Sequence, residues 1–219
     1  MTQSEFALPE NPEAALSSPP LVLLSEDDAV LRRLLRSTLR AQGYAVLESS
    51  SRGTALKTLR EQALVCVAIV DLGLPPLAHT TLEGLALIRA ISDEFPQVKT
   101  IVLTGQDEES AALEAIREGA FDFLSKPAST DDILRAVQRA ELFHRKERTL
   151  MANGLARLQL NARYTDGLKA VREDAEEKLV RQVLRATGFN VYKSAERLGI
   201  KRESLYYFMK KFQISRDDN

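Results

Sequence analysis

Four kinds of polar residue in the first part of the chain share one context: each stands where a short strand-like run stops. Glu26 and Asp27 follow Leu21–Leu24 and Ser25, Asp71 follows Cys66–Val70, Thr104 follows Thr100–Leu103, and Lys126 follows Ala120–Leu124. Runs of this length and composition read as strands buried on both faces. Gly73 and Pro75, just past Asp71, end regular structure there. If the strands are parallel, these ends line one edge of the sheet, where open α/β sheets place their sites. Three carboxylates gathered there repel one another unless a divalent cation binds, and oxygen ligands with open positions suit Mg²⁺. A lysine and a hydroxyl nearby can hold phosphoryl oxygens as charge develops. The chemistry this permits is attack by a carboxylate on a phosphoryl group, giving an acyl phosphate. Singly, each piece also has an ordinary explanation: a helix cap for the Asp, a turn for Lys-Pro, a loop for Thr-Gly. All of them in this order favour a site.

The intervening segments supply the elements that must position these residues. Val30, Leu31, Leu34, Leu35 and Leu39 recur at helical spacing up to Gly43, and Tyr44–Leu47 follows as a strand. Helices are expected around Thr54–Leu59, Leu85–Phe95 and Ala111–Ile116, the last closed by Gly119. Asp131 opens another, with Ile133, Leu134 and Val137 on one face. Five strands alternating with five helices predict an α/β fold, a five-stranded doubly wound parallel sheet with right-handed crossovers.

Composition sets the wider frame. The 219 residues are 44% hydrophobic and 28% charged, enough for one large domain or two smaller ones with a proper core. The single cysteine, Cys66, lies inside an apolar run and reads as buried filler; it excludes an internal disulfide. No apolar stretch approaches the ~18 to 20 residues of a membrane span, and no secretory signal is visible, so the chain reads as cytoplasmic. Residues 1–130 hold 11 Lys+Arg and 18 Asp+Glu, a balance of -7; residues 131–219 hold 19 and 13, a balance of +6. That split points to two modules with different partners.

At these residues the chain resembles a two-component response-regulator receiver domain, with the flavodoxin-like fold, across residues 20–142. Glu26-Asp27 fits the family's acidic pair. The resemblance implies that Asp71 is the phosphoacceptor and that Glu26, Asp27, Asp71 and the Gly73 carbonyl hold Mg²⁺. Thr104 falls at the switch hydroxyl, Lys126-Pro127 at the family's lysine with its cis-proline neighbour, and Phe123 at the aromatic rotamer switch. It also implies a histidine kinase as partner, and a phosphoacceptor that assists its own phosphoryl transfer and loss rather than a turnover enzyme. One departure is visible: Gly84, fitting the glycine that opens the third helix, lies thirteen past Asp71 instead of the usual eight or so, so the loop PLAHTTL is longer. His79 within it reads as solvent-exposed.

Residues 1–19, rich in proline and serine, read as a disordered leader. The helical pattern from Asp131 runs on with the apolar Leu142, Leu150, Leu155 and Leu158; residues 143–171 read as a helical linker, with Asn161–Val171 its most flexible part. Residues 172–216 suggest three helices: Arg172–Ala186, with a stripe of Ala175, Leu179, Val183 and Ala186 flanked by Val180 and Leu184; then VYKSAERLG, capped by Asn190 and stopped at Gly199; then RESLYYFMKKF. The last has an inward stripe of Leu205, Phe208, Met209 and Phe212. Asn190–Arg216 carries seven Lys+Arg against two Asp+Glu, which suits phosphate contacts. Through NVYKSAERLGIKRESLYYFMKK the segment resembles the Fis-like helix-turn-helix domain that ends many response regulators. Its departures are Lys201 in place of a Ser or Thr cap and the bulk of Tyr207-Phe208. The resemblance implies double-stranded DNA as partner, read by Lys201, Arg202, Glu203, Ser204, Tyr206, Tyr207, Lys210 and Lys211, and a homodimer. No GxxxxGK[ST] occurs, which argues against ATP-driven activation of a specialised sigma factor.

The expected function is a phosphorylation-controlled transcriptional regulator. The alternative is a phospho-dependent adaptor whose C-terminal helices bind a protein. A phosphatase with an aspartate nucleophile is a third reading, weakened by the lack of a second Asp two after Asp71.

Overall fold

The computed structural model of the chain describes residues 19–105, 109–152 and 167–215. The expected 1–19 leader lies almost entirely outside these residues, as do positions 153–166 of the expected linker. The chain forms two compact units that divide between Thr149 and Leu150.

In the first unit, β1 (Leu21–Ser25), β2 (Ala45–Ser49), β3 (Val65–Asp71), β4 (Lys99–Thr104) and β5 (Asp122–Ser125) form one parallel sheet in the order β2-β1-β3-β4-β5. The crossovers contain α1 (Ala29–Ala41), α2 (Arg52–Glu61), α3 (Leu82–Glu94) and α4 (Glu109–Arg117), and α5 (Thr130–Ala152) follows β5. Every residue of the central β3 is buried, and its side chains divide between two cores, alternating except at Cys66 and Val67, where the register against β1 shifts. Val65, Ala68 and Val70 pack with residues of α2, α3 and α4, among them Leu59, Leu87, Ile88 and Ala115. Cys66, Val67 and Ile69 pack with Leu35 and Leu39 of α1 and Ile133, Val137 and Ala140 of α5. Each fully buried Leu or Ile contributes roughly 1.5–3 kcal/mol, so both faces hold β3 in place.

Some elements depart from the sequence expectation. Of the α1 stripe, Leu35 and Leu39 are buried, whereas Val30 and Leu34 are 79% and 60% exposed. A helix lying on a sheet buries one stripe, and five apolar residues at three and four overfill it. β5 spans only Asp122–Ser125; Phe121 precedes it, donating its amide to the Thr100 carbonyl (2.8 Å). Helix α5 runs 23 residues, to Ala152. Past the core residue Ala140 it is tied to the base of the sheet. Tyr44 Oη donates to Glu141 (3.1 Å), Phe143 meets Phe121 edge-on with ring centroids 5.1 Å apart, and His144 Nδ1 donates to the Gln97 carbonyl (2.8 Å). Glu147 pairs with Lys99, the first residue of β4.

The second unit contains α6 (Gly167–Ala186), α7 (Val191–Leu198) and α8 (Arg202–Lys211). α6 begins five residues before the expected Arg172, through the helix-forming Leu168, Lys169 and Ala170. Its buried positions are Val180 and Leu184, the pair expected beside the main stripe, and they pack with Ala195, Leu205 and Ile214. Asn190 caps α7 by accepting from the Lys193 amide (3.1 Å), and Gly199 closes it in the left-handed conformation, φ 63°. No Lys201 side-chain bond caps α8.

Candidate functional site

The loop after β1 supplies the first two acids. Glu26 is buried, and its amide donates to the Ser49 carbonyl at the end of β2 (3.2 Å). Asp27 is exposed. Asp28 turns the other way and caps α1, accepting from the Val30 and Leu31 amides (2.7 and 3.2 Å), which hold its carboxyl below the usual range. One carboxylate oxygen from each of Glu26, Asp27 and Asp71 lies within 4.8 Å of the others.

Lys126 closes the cluster from β5. Its Nζ lies 2.9 Å from Glu26 Oε2 and 3.0 Å from Asp71 Oδ1. The strand end holds it there: the Lys126 amide donates to the Thr104 carbonyl (2.6 Å), and Lys126–Pro127 is cis. Thr104, buried at the end of β4, donates its hydroxyl to the Gly105 carbonyl (3.1 Å). Phe123, paired with Val102 across β4 and β5, is 43% exposed.

Electrostatics follow from this packing. Burial, then the Asp71 charge, push the Glu26 carboxyl up to about 7, against the opposing pull of Lys126. Burial disfavours the Lys126 ammonium, but its bond to Glu26 and the charge of Asp71 outweigh that, and its pKa is raised. The cluster is therefore short of positive charge. Three hard oxygen donors around that deficit fit Mg²⁺ by the chemistry of the donor set.

The lengthened loop leaves the site's floor intact. Leu72 and Leu74 are buried, while Pro76, Leu77, His79 and Thr80 are exposed around a cis Pro75–Pro76 bond. A Cβ on Gly84 would lie 2.4 Å from Leu72 Cα and 2.9 Å from the Asp71 carbonyl oxygen, so α3 rests against the end of β3 only with glycine there. A Cβ on Gly73 would stand 2.9 Å from the Ala78 carbonyl oxygen and 3.7 Å from Asp71 Oδ2. The extra residues thus bulge at the tip, with both glycines kept beside Asp71.

In the second unit, Lys201, Arg202, Glu203, Tyr206, Tyr207 and Lys210 are exposed, and Ser204 is half-buried. Positions 202, 203, 206, 207 and 210 recur at three and four and share one side of α8. Lys211 behaves differently: its ammonium pairs with Glu173 and Glu176 of α6 (3.1 and 3.8 Å) and lies over the Phe212 ring. Arg181 strengthens the same junction, donating to the Phe212 carbonyl (2.9 Å). A positive charge in sequence does not show whether its partner is solvent, nucleic acid or a neighbouring helix. Arg32 also lacks a sequence signal, because it bonds main-chain carbonyls beside the acidic pair.

Comparison with known proteins agrees with this architecture. Residues 22–138 match the response regulator receiver domain family, and residues 171–212 match the bacterial regulatory protein, Fis family. The chain is 31% identical over 170 residues to the C4-dicarboxylate transport transcriptional regulatory protein DctD of Rhizobium meliloti, covering 78% of this chain and 35% of that protein. It is 38% identical over 119 residues to the acid tolerance regulatory protein ActR of the same organism, covering 53% and 57%. The chain thus spans about a third of the length of the first relative and somewhat over half of the second. Among solved structures, a response regulator receiver domain from Clostridium thermocellum matches with TM-score 0.53 and 28% identity, covering 57% of this chain and 97% of that one. The signal receiver domain of an HD domain-containing protein from Pseudomonas fluorescens matches with TM-score 0.55 and 26% identity, covering 61% and 94%. With a receiver domain across more than half its length and a Fis-family helix-turn-helix behind it, the chain belongs to the response regulators of two-component systems.

Proposed function

We propose that the chain is a phosphorylation-controlled transcriptional regulator in which Asp71 accepts a phosphoryl group from a histidine kinase and the α7–α8 helix-turn-helix reads double-stranded DNA. The observation that carries the proposal is the position of Lys126, 2.9 Å from Glu26 and 3.0 Å from Asp71 beside three converging carboxylates. An Asp71 oxygen attacks phosphorus, the P–N bond to the kinase imidazole breaks, and an acyl phosphate forms. Lys126 moves its ammonium from carboxylate to phosphoryl oxygen, and Glu26 is the partner it keeps. Glu26, Asp27, Asp71 and the Gly73 carbonyl would hold Mg²⁺, which when bound neutralises charge on the transferring phosphoryl oxygens. The Thr104 hydroxyl, now turned to the Gly105 carbonyl, rotates to the phosphoryl group, and the half-exposed Phe123 follows inward. Coupling of this kind is typically ~1–3 kcal/mol, enough to shift a dimerisation or docking equilibrium that governs the DNA-binding unit.

The test is incubation with a small phosphodonor and Mg²⁺, followed by intact mass. The expected result is one phosphoryl group on the wild type and none on Asp71→Asn; equal labelling of both would refute the assignment. The adaptor reading draws on the exposed Tyr206 and Tyr207, 59% and 62% accessible and able to serve a protein interface. Titration with DNA at several salt concentrations separates the two, since phosphate contacts make affinity fall steeply with salt.

A further inference from the structure

Beside the acidic pair stands a cation that the proposed phosphoryl chemistry does not use. Arg32, on the first turn of α1, donates from Nη1 to the Glu26 carbonyl (2.6 Å) and the Asp27 carbonyl (3.1 Å). Its Nε faces Glu48 Oε2 on β2 (3.6 Å), and Glu48 is held in turn by Arg36 (2.7 Å). The helix does not need these bonds as a cap, because Asp28 already provides one. Nor do they neutralise the site carboxylates, since they reach the main chain behind them. With the Glu26 amide bonded to Ser49, the Arg32 bonds fix the peptide planes from which both acidic side chains depart.

We infer that Arg32 is a positioning residue for the acidic pair, clamping the main-chain carbonyls of Glu26 and Asp27 so that both carboxylates converge on the cation position, with Glu48 orienting the clamp. The inference rests on reading Glu26, Asp27 and Asp71 as a divalent-cation site. Charge and geometry then make opposite predictions. A guanidinium near a bound cation repels it, so on charge alone its removal would tighten Mg²⁺ binding. If the clamp sets the ligand geometry, its removal weakens binding, and the loss of such an outer partner typically costs about 10–100-fold in metal affinity.

Titration calorimetry of Mg²⁺ into the full chain reads this sign directly, with Asp71→Asn marking the heat that belongs to the site. Arg32→Ala is expected to weaken Mg²⁺ binding about tenfold or more, with phosphorylation by a small phosphodonor restored at high Mg²⁺. Arg32→Lys, which keeps the charge but cannot span two carbonyls and Glu48, is expected to fall between. Glu48→Gln leaves the guanidinium but removes its guide, and is expected to weaken binding by a smaller factor. Affinity equal to or tighter than wild type in Arg32→Ala overturns the inference. If that variant does not fold, unchanged affinity in Glu48→Gln overturns it. A wild-type chain that gives no Mg²⁺ heat removes the cation-site reading instead.

Discussion

Under the proposed chemistry, single residues at the sheet edge divide into those that react and those that allow the others to approach. Lys126 is the first kind: removing its ammonium leaves Glu26 and Asp71 facing each other without a counter-charge. Lys126→Met is expected to cut the phosphorylation rate by at least tenfold while leaving the far-ultraviolet spectrum unchanged, checked by intact mass over time. Gly84 is the second kind. A methyl group there meets the backbone of Leu72 at 2.4 Å, which no side-chain rotation relieves. Gly84→Ala is expected to cost about 3 kcal/mol, seen as a lower urea midpoint. The residues proposed to react are legible in the sequence because each follows a strand-like run. Arg32 is not, because its acceptors are carbonyls that any residue carries. The α6 partners of Lys211 are not legible in sequence for a related reason, since Glu173 and Glu176 lie far away along the chain.

At the scale of elements, the apolar runs revealed the sheet, but they did not show how much of α1 lies on it or where α5 stops serving the receiver. The anchors of α5 past Ala140 are polar and long-range: Glu141 to Tyr44, His144 to Gln97 and Glu147 to Lys99. Lys99→Met alone is expected to destabilise the receiver unit by about 1–3 kcal/mol, because the buried Glu147 carboxylate loses one of its partners. Lys99→Met combined with Glu147→Leu is expected to recover part of that loss in chemical denaturation. Burial lowers the His144 pKa, and the nearby Arg148 and Lys99 add to this against the Gln97 carbonyl and Glu147. A histidine depressed in the folded state binds its proton better when unfolded. Its contribution is therefore full above about pH 6.5, the ordinary value, and is lost as pH falls towards its folded pKa. Glu26, raised to about 7, acts in the opposite sense between its ordinary value and that pH. The comparison that isolates His144 is wild type against His144→Gln at pH 7.5 and 5.5: the variant is expected to lose less stability on acidification.

Across the whole molecule, the split of charge into an acidic front and a basic back corresponds to two different tasks, a carboxylate cluster on one unit and an exposed basic helix on the other. Lys201, Arg202 and Lys210 lie open to solvent, while Lys211 is committed to α6. Replacing any of the first three by alanine is expected to lower the slope of log affinity against log salt by about 0.9 for each phosphate no longer neutralised. Lys211→Ala is expected to lower the stability of the α6–α8 unit instead, with the slope kept. The central claim is that the state of Asp71 governs the α8 surface. Its most direct test is a DNA titration of the full chain at fixed salt, before and after treatment with a small phosphodonor and Mg²⁺, with Asp71→Asn run alongside. Wild-type affinity is expected to change at least fivefold, the lower end of typical allosteric coupling, about 1 kcal/mol, and Asp71→Asn is expected not to change. Equal affinity of phosphorylated and unphosphorylated wild type, or an equal response in Asp71→Asn, would contradict the claim.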